Sequence, residues 1–338
     1  MRRGLAALLA GGALCSAPAA TFAADGEPEA CKVQLVVLGA GQDAGAPQIG
    51  NADDTGPRLL PSSLALIDRA NGKRYLFDAS PAITEQLAML DRIEPPADGL
   101  GVDGVFLTHA HIGHYLGIAY FGREAAGASG VPVYAMPRMA QFLRTNGPWS
   151  QLVELGNIAI KEVAHSSYRY PPLANEAWRP SEPQLIGGNI AVSAIPVPHR
   201  DEYSETVGWV FADPERWSIL YLPDIDSWDE MEARNPGFSL ETWVRKVGPD
   251  GLVFIDATFW DDNELPGRDM REIPHPRVTE TMDRLQELPP SERAKVHFIH
   301  YNHTNPIRDP DSAQSREVTE RGYNVARRGD RICLDKGG

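Results

Sequence analysis

Val105-Phe106-Leu107-Thr108-His109-Ala110-His111-Ile112-Gly113-His114 decides how this sequence is read. Its first three residues are apolar and β-prone, which predicts a short buried strand. The strand runs straight into three histidines. On extended backbone, side chains two residues apart point to the same side, so His109 and His111 can converge on one point. Neutral imidazole is a good zinc ligand, and a catalytic zinc site takes three protein ligands and keeps one position open. His114, where the chain turns into a helix, can face a second ion. With only 9 His in 338 residues, ordinary surface histidines explain such crowding poorly.

Working outward, the chain reads as strands that end in chemistry. Val33 to Leu38 is a strand stopped by Gly39-Ala40-Gly41, which lacks the spacing of a dinucleotide-binding turn. Ser63 to Ile67 and Tyr75 to Phe77 form a hairpin around Asn71-Gly72. Ser80 as cap and Pro81 at the first position open a helix through Leu90. Further strands are expected at Val131–Tyr134, Ile158–Val163, Ile190–Val197, Val207–Phe211, Ser218–Leu222, Leu252–Ile255 and Val296–Ile299. Helices are expected at Pro137–Arg144 and Pro276–Leu288. Ser166 to Pro183, rich in Tyr, Pro and Trp, reads as a surface loop or lid. The pattern is one α/β domain, residues 31–335, with two sheets covered by helices.

Composition fits that reading. Hydrophobic residues at 42% and charged residues at 23% permit a packed core and exclude global disorder. The formal net charge is −14, and so acidic a surface disfavours general nucleic-acid binding. Met1-Arg2-Arg3, an apolar run from Gly4 to Leu14 and small residues up to Ala23 predict a cleaved secretory signal over residues 1–23. The mature protein is then expected in the periplasm or secreted, with no membrane attachment after cleavage. Cys31 and Cys333 remain near the two ends. They either form a disulfide or stay as free thiols.

The histidine segment resembles the metallo-β-lactamase superfamily, whose motif is His-x-His-x-Asp-His after a strand. The resemblance implies an αββα sandwich of two mixed sheets flanked by helices. It matches His199 of Val197-Pro198-His199-Arg200 to the third ligand of the first metal. Asp224 of Tyr221-Leu222-Pro223-Asp224 takes the place of the bridging carboxylate, and His300 that of the last ligand of the second metal. Asp78 matches an early aspartate that supports the metal loop. Arg58, Ser62-Ser63, Asp78-Ala79-Ser80-Pro81, Gly122-Arg123-Glu124 and His303-Thr304-Asn305-Pro306 are similar to the pyrroloquinoline quinone biosynthesis B protein branch, over roughly Val33 to Pro306. That branch usually lacks the His-x-His pair kept here. The order Asp256-Ala257-Thr258-Phe259, His275-Pro276, His300 is similar to tRNA-maturation nucleases and phosphodiesterases, which implies a proton-donor role for His275.

One departure stands inside the motif: Gly113 occupies the aspartate position. Asp43, in Gly41-Gln42-Asp43-Ala44-Gly45, is a possible compensating ligand reaching in from a strand-end loop. His303 is another, and also a candidate acid. Arg200 is a candidate for holding an anionic substrate group. Asp226 and Asp229 read first as a solvated acidic loop, with support of Asp224 as the alternative, and His165 and His297 as structural or surface residues. Trp149, Tyr168, Tyr170 and Trp178 read equally as groove lining or as packing.

The expected function is a metal-dependent hydrolase. One or two zinc ions, with iron or manganese as alternatives, activate water against a small-molecule ester, lactone, lactam or phosphodiester. Two other readings stay open: an iron-dependent oxidoreductase related to quinone-cofactor biosynthesis, and a non-catalytic metal or ligand binder. Oligomeric state is left open.

Overall fold

The computed structural model describes residues 31–163, 180–235 and 237–335. The signal-like segment, His165, Tyr168, Tyr170 and Trp178 lie outside the described residues.

Among the described residues, fourteen strands build two sheets. The first contains β1 (Val33–Gly39), β2 (Ser63–Asp68), β3 (Lys73–Phe77), β4 (Gly104–Phe106), β5 (Val131–Ala135), β6 (Ile158–Glu162) and, at its far edge, β14 (Arg331–Cys333), in the order β14-β1-β2-β3-β4-β5-β6. The second contains β7 (Gln184–Gly187), β8 (Ile190–Pro196), β9 (Val207–Asp213), β10 (Trp217–Leu222), β11 (Leu252–Asp256), β12 (Val296–Ile299) and β13 (Asn324–Val325), in the order β13-β12-β11-β10-β9-β8-β7. Both sheets mix antiparallel hairpins with parallel pairs. The hairpin β2–β3 is antiparallel, whereas β3–β4, β4–β5, β10–β11 and β11–β12 are parallel.

The alternation of side chains explains the layers. Leu35 and Val37 of β1, Leu64 and Leu66 of β2, and Phe77 of β3 enter the core between the sheets. Their neighbours Val36, Leu38, Ala65, Ile67 and Leu76 enter a second core beneath the flanking helices. Period-two side chains buried on both faces require exactly this kind of double covering, so the strands read as nearly continuous apolar runs. Phe106 sits at the centre, with ring centroids 4.7 Å from Phe211 and 5.4 Å from Trp209 across the sandwich.

The helix expected from Ser80 begins later, at Ile83, and runs to Ile93. Ser80 Oγ accepts from the Ala82 amide and donates to Gln86, so Ser80-Pro81 forms a turn ahead of the helix. The helix expected over Pro276–Leu288 is confined to Val278–Arg284. Trp149 opens a short helix, Trp149–Glu154, and packs against Tyr115 and Phe142, which makes it core and not groove lining. Cys31 and Cys333 form a disulfide with Cα atoms 5.7 Å apart, beside the β1–β14 pairing.

Candidate metal centre

The site lies where strands from both sheets end. His109 and His111 follow β4, His199 follows β8, Asp224 follows β10 and His300 follows β12. Asp43 comes from the loop after β1, and His114 from the short helix Ile112–Tyr115. Asp43, Asp78 and His300 are the non-glycine residues with positive φ among the described residues, at 30°, 61° and 65°. Left-handed backbone is uncommon for side-chain-bearing residues and collects at functional sites. Here all three instances surround one small volume.

Four donor atoms form the first cluster. His111 Nδ1 lies 2.9 Å from His109 Nε2 and 3.1 Å from His199 Nε2. Asp224 Oδ2 lies 3.3 Å from His109 Nε2 and 3.2 Å from His199 Nε2. Ligand atoms roughly 2.0–2.1 Å from one tetrahedral ion are about 3.3 Å apart, so the donors are spaced as such an ion requires. A second cluster joins Asp43 Oδ1, His114 Nε2 and His300 Nε2, all within 4.8 Å of one another. His114 Nε2 and His300 Nε2 each lie 3.9 Å from Asp224 Oδ2, which is therefore shared between the clusters. Asp43 Oδ1, His114 Nε2, Asp224 Oδ1 and His300 Nε2 are buried with no hydrogen-bond partner. A buried polar atom left unpaired costs about 1–3 kcal/mol, and four in one place fit a cation.

Each imidazole is held from behind by an oxygen. His109 Nδ1 faces Thr108 Oγ1 at 3.0 Å, His114 Nδ1 donates to Asp78 at 2.7 Å, and His199 Nδ1 donates to Asp226 at 2.8 Å. His300 Nδ1 faces Thr258 Oγ1 at 3.1 Å, and His111 Nε2 faces Glu202 Oε2 at 3.3 Å. Such contacts fix the tautomer and aim the opposite nitrogen inward. The supporting role of Asp226 corrects its reading as a solvated loop residue. Thr108, Thr258 and Glu202 were missed. A hydroxyl next to a strand-end histidine was the available signal for Thr108, whereas Thr258 follows the strand-end Asp256 by two residues and meets His300, 42 residues away, only through the fold. Glu202 carries no such signal.

Charge is distributed accordingly. Burial keeps His109, His111 and His300 below the usual histidine pKa, hence neutral and able to ligate. Burial opposes the charge on His199 too, but Asp224 and Asp226 outweigh it and push its pKa up to about 10. Burial pushes Asp224 toward the neutral acid, yet the His199 and His300 rings beside it and the hydrogen bonds from His109 and His199 hold it well below the carboxylate range.

His275 stands beside the clusters, its Nδ1 donating to Asp256 Oδ2 at 2.8 Å and lying 3.5 Å from Asp224 Oδ1. Its ring centroid is 5.9 Å from that of His199. It also lines a cleft of about 880 Å³ together with Asp226, Arg277 and Glu280. His303 is brought into neither cluster. Its Nδ1 and backbone amide are both engaged by Asn302 Oδ1. Arg200 lies at the rim, its side chain 59% exposed and 3.9 Å from Glu202. His297 lies in β12 and stacks on Phe254, away from the site.

A two-sheet sandwich with a histidine pair at a strand end and a shared aspartate defines the metallo-β-lactamase type of fold. Residues 73–301 match the family described as Beta-lactamase superfamily domain, and the chain belongs to that family. Along 89% of its length it is 28% identical to Coenzyme PQQ synthesis protein B of Klebsiella pneumoniae, covering 98% of that protein, which supports the pyrroloquinoline quinone B-like resemblance. Among solved structures, zinc-bound PqqB of Methylobacterium extorquens superposes with a TM-score of 0.66 at 19% identity, covering 88% of this chain and 99% of that one. A diphosphatase of the PhnP family superposes with a TM-score of 0.57 at 20% identity, covering 89% and 98%.

Proposed function

We propose that this chain is an exported, metal-dependent hydrolase acting on a small-molecule ester, lactone, lactam or phosphodiester. The observation that carries the proposal is the convergence of His109 Nε2, His111 Nδ1, His199 Nε2 and Asp224 Oδ2 at separations of 2.9–3.3 Å. A divalent cation held there, zinc in our reading, supplies Lewis acidity and brings water ionisation to about neutral pH. The chain's own residues do the rest. Thr108, Glu202 and Asp226 keep the three imidazoles in ligating tautomers. His275, with Nδ1 tied to Asp256, has its Nε2 left to give a proton to a leaving group. Arg200, exposed at the rim, is suited to attract an anionic substituent. The name of the diphosphatase neighbour is compatible with a phosphorus-ester substrate.

Export is supported by the signal-like N-terminus and by the Cys31–Cys333 disulfide, a bond expected in oxidising compartments. Among the described residues no helix is long and apolar enough to cross a membrane.

The test is turnover by zinc-reconstituted protein against a panel of these four ester and amide classes. Activity lost on chelation, lost in His199→Ala and unaffected by removing oxygen supports the proposal. Turnover that survives both chelation and His199→Ala sinks it. The likeness to Coenzyme PQQ synthesis protein B favours a second reading, an iron-dependent oxidation. That reading requires activity that vanishes anaerobically.

A further inference from the structure

We infer that Asp43 gives a second divalent cation the carboxylate that position 113 lacks, and that Gly113 is what makes room for it. The inference rests on the metal-dependent reading above and assigns the second half of that centre. A Cβ placed on Gly113 would lie 2.5 Å from Asp43 Cα, 2.7 Å from Asp43 Oδ1 and 3.0 Å from Asp43 O. Asp43 thus fills the volume that any side chain at 113 would enter. One carboxylate can occupy that place, and here it arrives from the β1 loop.

The loop is built to deliver it. The Gln42 amide donates to Tyr301 O at 3.0 Å, and the Gly45 amide donates to Gln42 O at 2.7 Å, which closes a tight turn over Asp43. The turn sets Asp43 at φ 30°, a conformation aspartate tolerates better than most residues. Asp43 Oδ2 accepts from Gln42 Nε2 at 3.2 Å, while Oδ1 is buried, unpaired and 3.8 Å from His114 Nε2. His300 Nε2, equally unpaired, completes the set with Asp224 Oδ2 at 3.9 Å. Four donors about 2.1 Å from one tetrahedral ion lie about 3.4 Å apart, so the spacings of 3.8–3.9 Å here leave about half an ångström to close on an ion. Two imidazoles and two carboxylates suit zinc, iron(II) or manganese(II).

The experiment measures zinc per chain by elemental analysis, after reconstitution and removal of free metal. It compares the parent protein, Asp43→Gly, Gly113→Asp and the double variant Asp43→Gly/Gly113→Asp. Glycine accepts the left-handed backbone at 43, and thermal unfolding verifies that each variant is folded. We expect two ions in the parent and one in Asp43→Gly. Gly113→Asp should be crowded and lower in Tm, and the double variant should return to two ions. Asp43→Gly retaining two ions overturns the inference. One ion in the parent overturns it and leaves the three-histidine site intact. A double variant that stays at one ion overturns the exchange between positions 43 and 113. A parent chain that takes up no metal overturns both this inference and the hydrolase reading.

Discussion

Asp78 and Asp256 hold the two halves of the site in the same way. Each is fully buried, one just after β3 and the other at the end of β11. Asp78 binds His114 directly and accepts from Thr108 Oγ1, which in turn faces His109. Asp256 binds His275 directly and accepts from Thr258 Oγ1, which faces His300. Burial works to lower the His275 pKa, but the Asp256 carboxylate outweighs it and the net shift is upward. Asp256→Asn removes that charge. The basic limb of the pH–rate profile should move to lower pH, with kcat reduced about 10- to 100-fold. A profile that keeps its basic limb would remove His275 as the acid.

Metal affinity should depend on pH through His199. Its pKa of about 10 means that a proton occupies the ring at neutral pH, and a cation must displace it. Between pH 6 and 8, zinc affinity should rise about tenfold per pH unit, measured by competition with a chelating dye. Asp226→Ala takes away the oxygen behind the ring, so affinity at pH 8 should fall about 10- to 100-fold and the pH slope should flatten. An unchanged slope in Asp226→Ala would contradict the coupling.

Glu264 should make stability fall as pH rises. Burial lifts its pKa to about 7, against hydrogen bonds from Thr304 and the Trp260 amide that favour the charged form. Unfolded glutamate titrates at about 4.3, so between roughly pH 4.5 and 7 the folded state binds more protons than the unfolded one. The stabilisation is complete below the unfolded pKa and is lost as pH climbs through 7. Because the side chain is partly exposed, about 1–2 kcal/mol is expected. Glu264→Gln, which imitates the neutral acid, should show a smaller loss of Tm between pH 5 and 8. A parallel pH dependence in both proteins would dismiss the assignment.

Phe106 is the packing counterpart of the site. It stacks on Tyr134 at 4.3 Å between ring centroids and meets Phe211 and Trp209 edge-on. Phe106→Ala should cost about 3–5 kcal/mol in denaturant unfolding. A cost below about 1 kcal/mol would mean that the two sheets can close over the missing ring.

Much of the centre was legible because strand-end residues have few directions to point. His109, His111, His199, Asp224 and His300 each follow an apolar run by a few residues, and the strands carry them to one edge. Asp43 follows the apolar run of β1 in the same way. His303 was misplaced by its three-residue spacing from His300, which suits a helix. The chain leaves β12 through His300 at φ 65°, and helical structure resumes only at Pro306. Asp226 looked like one acid in a polar loop, and only the fold brings His199, 27 residues away, to its side chain. Trp149 was ambiguous because an aromatic beside Pro148 serves a groove or a core equally well.

The Cys31–Cys333 bond closes residues 31–333 into a covalent ring of 303 residues. A ring has no free end to fray, and an exopeptidase that reaches either cysteine meets a closed loop. Cys31 and Cys333 are next to each other, so a polypeptide spanning these two residues can be joined there and reopened at a different exposed turn, such as Asn71-Gly72 between β2 and β3. A circular permutant of that kind should keep the metal centre, because its residues lie at the opposite ends of those strands.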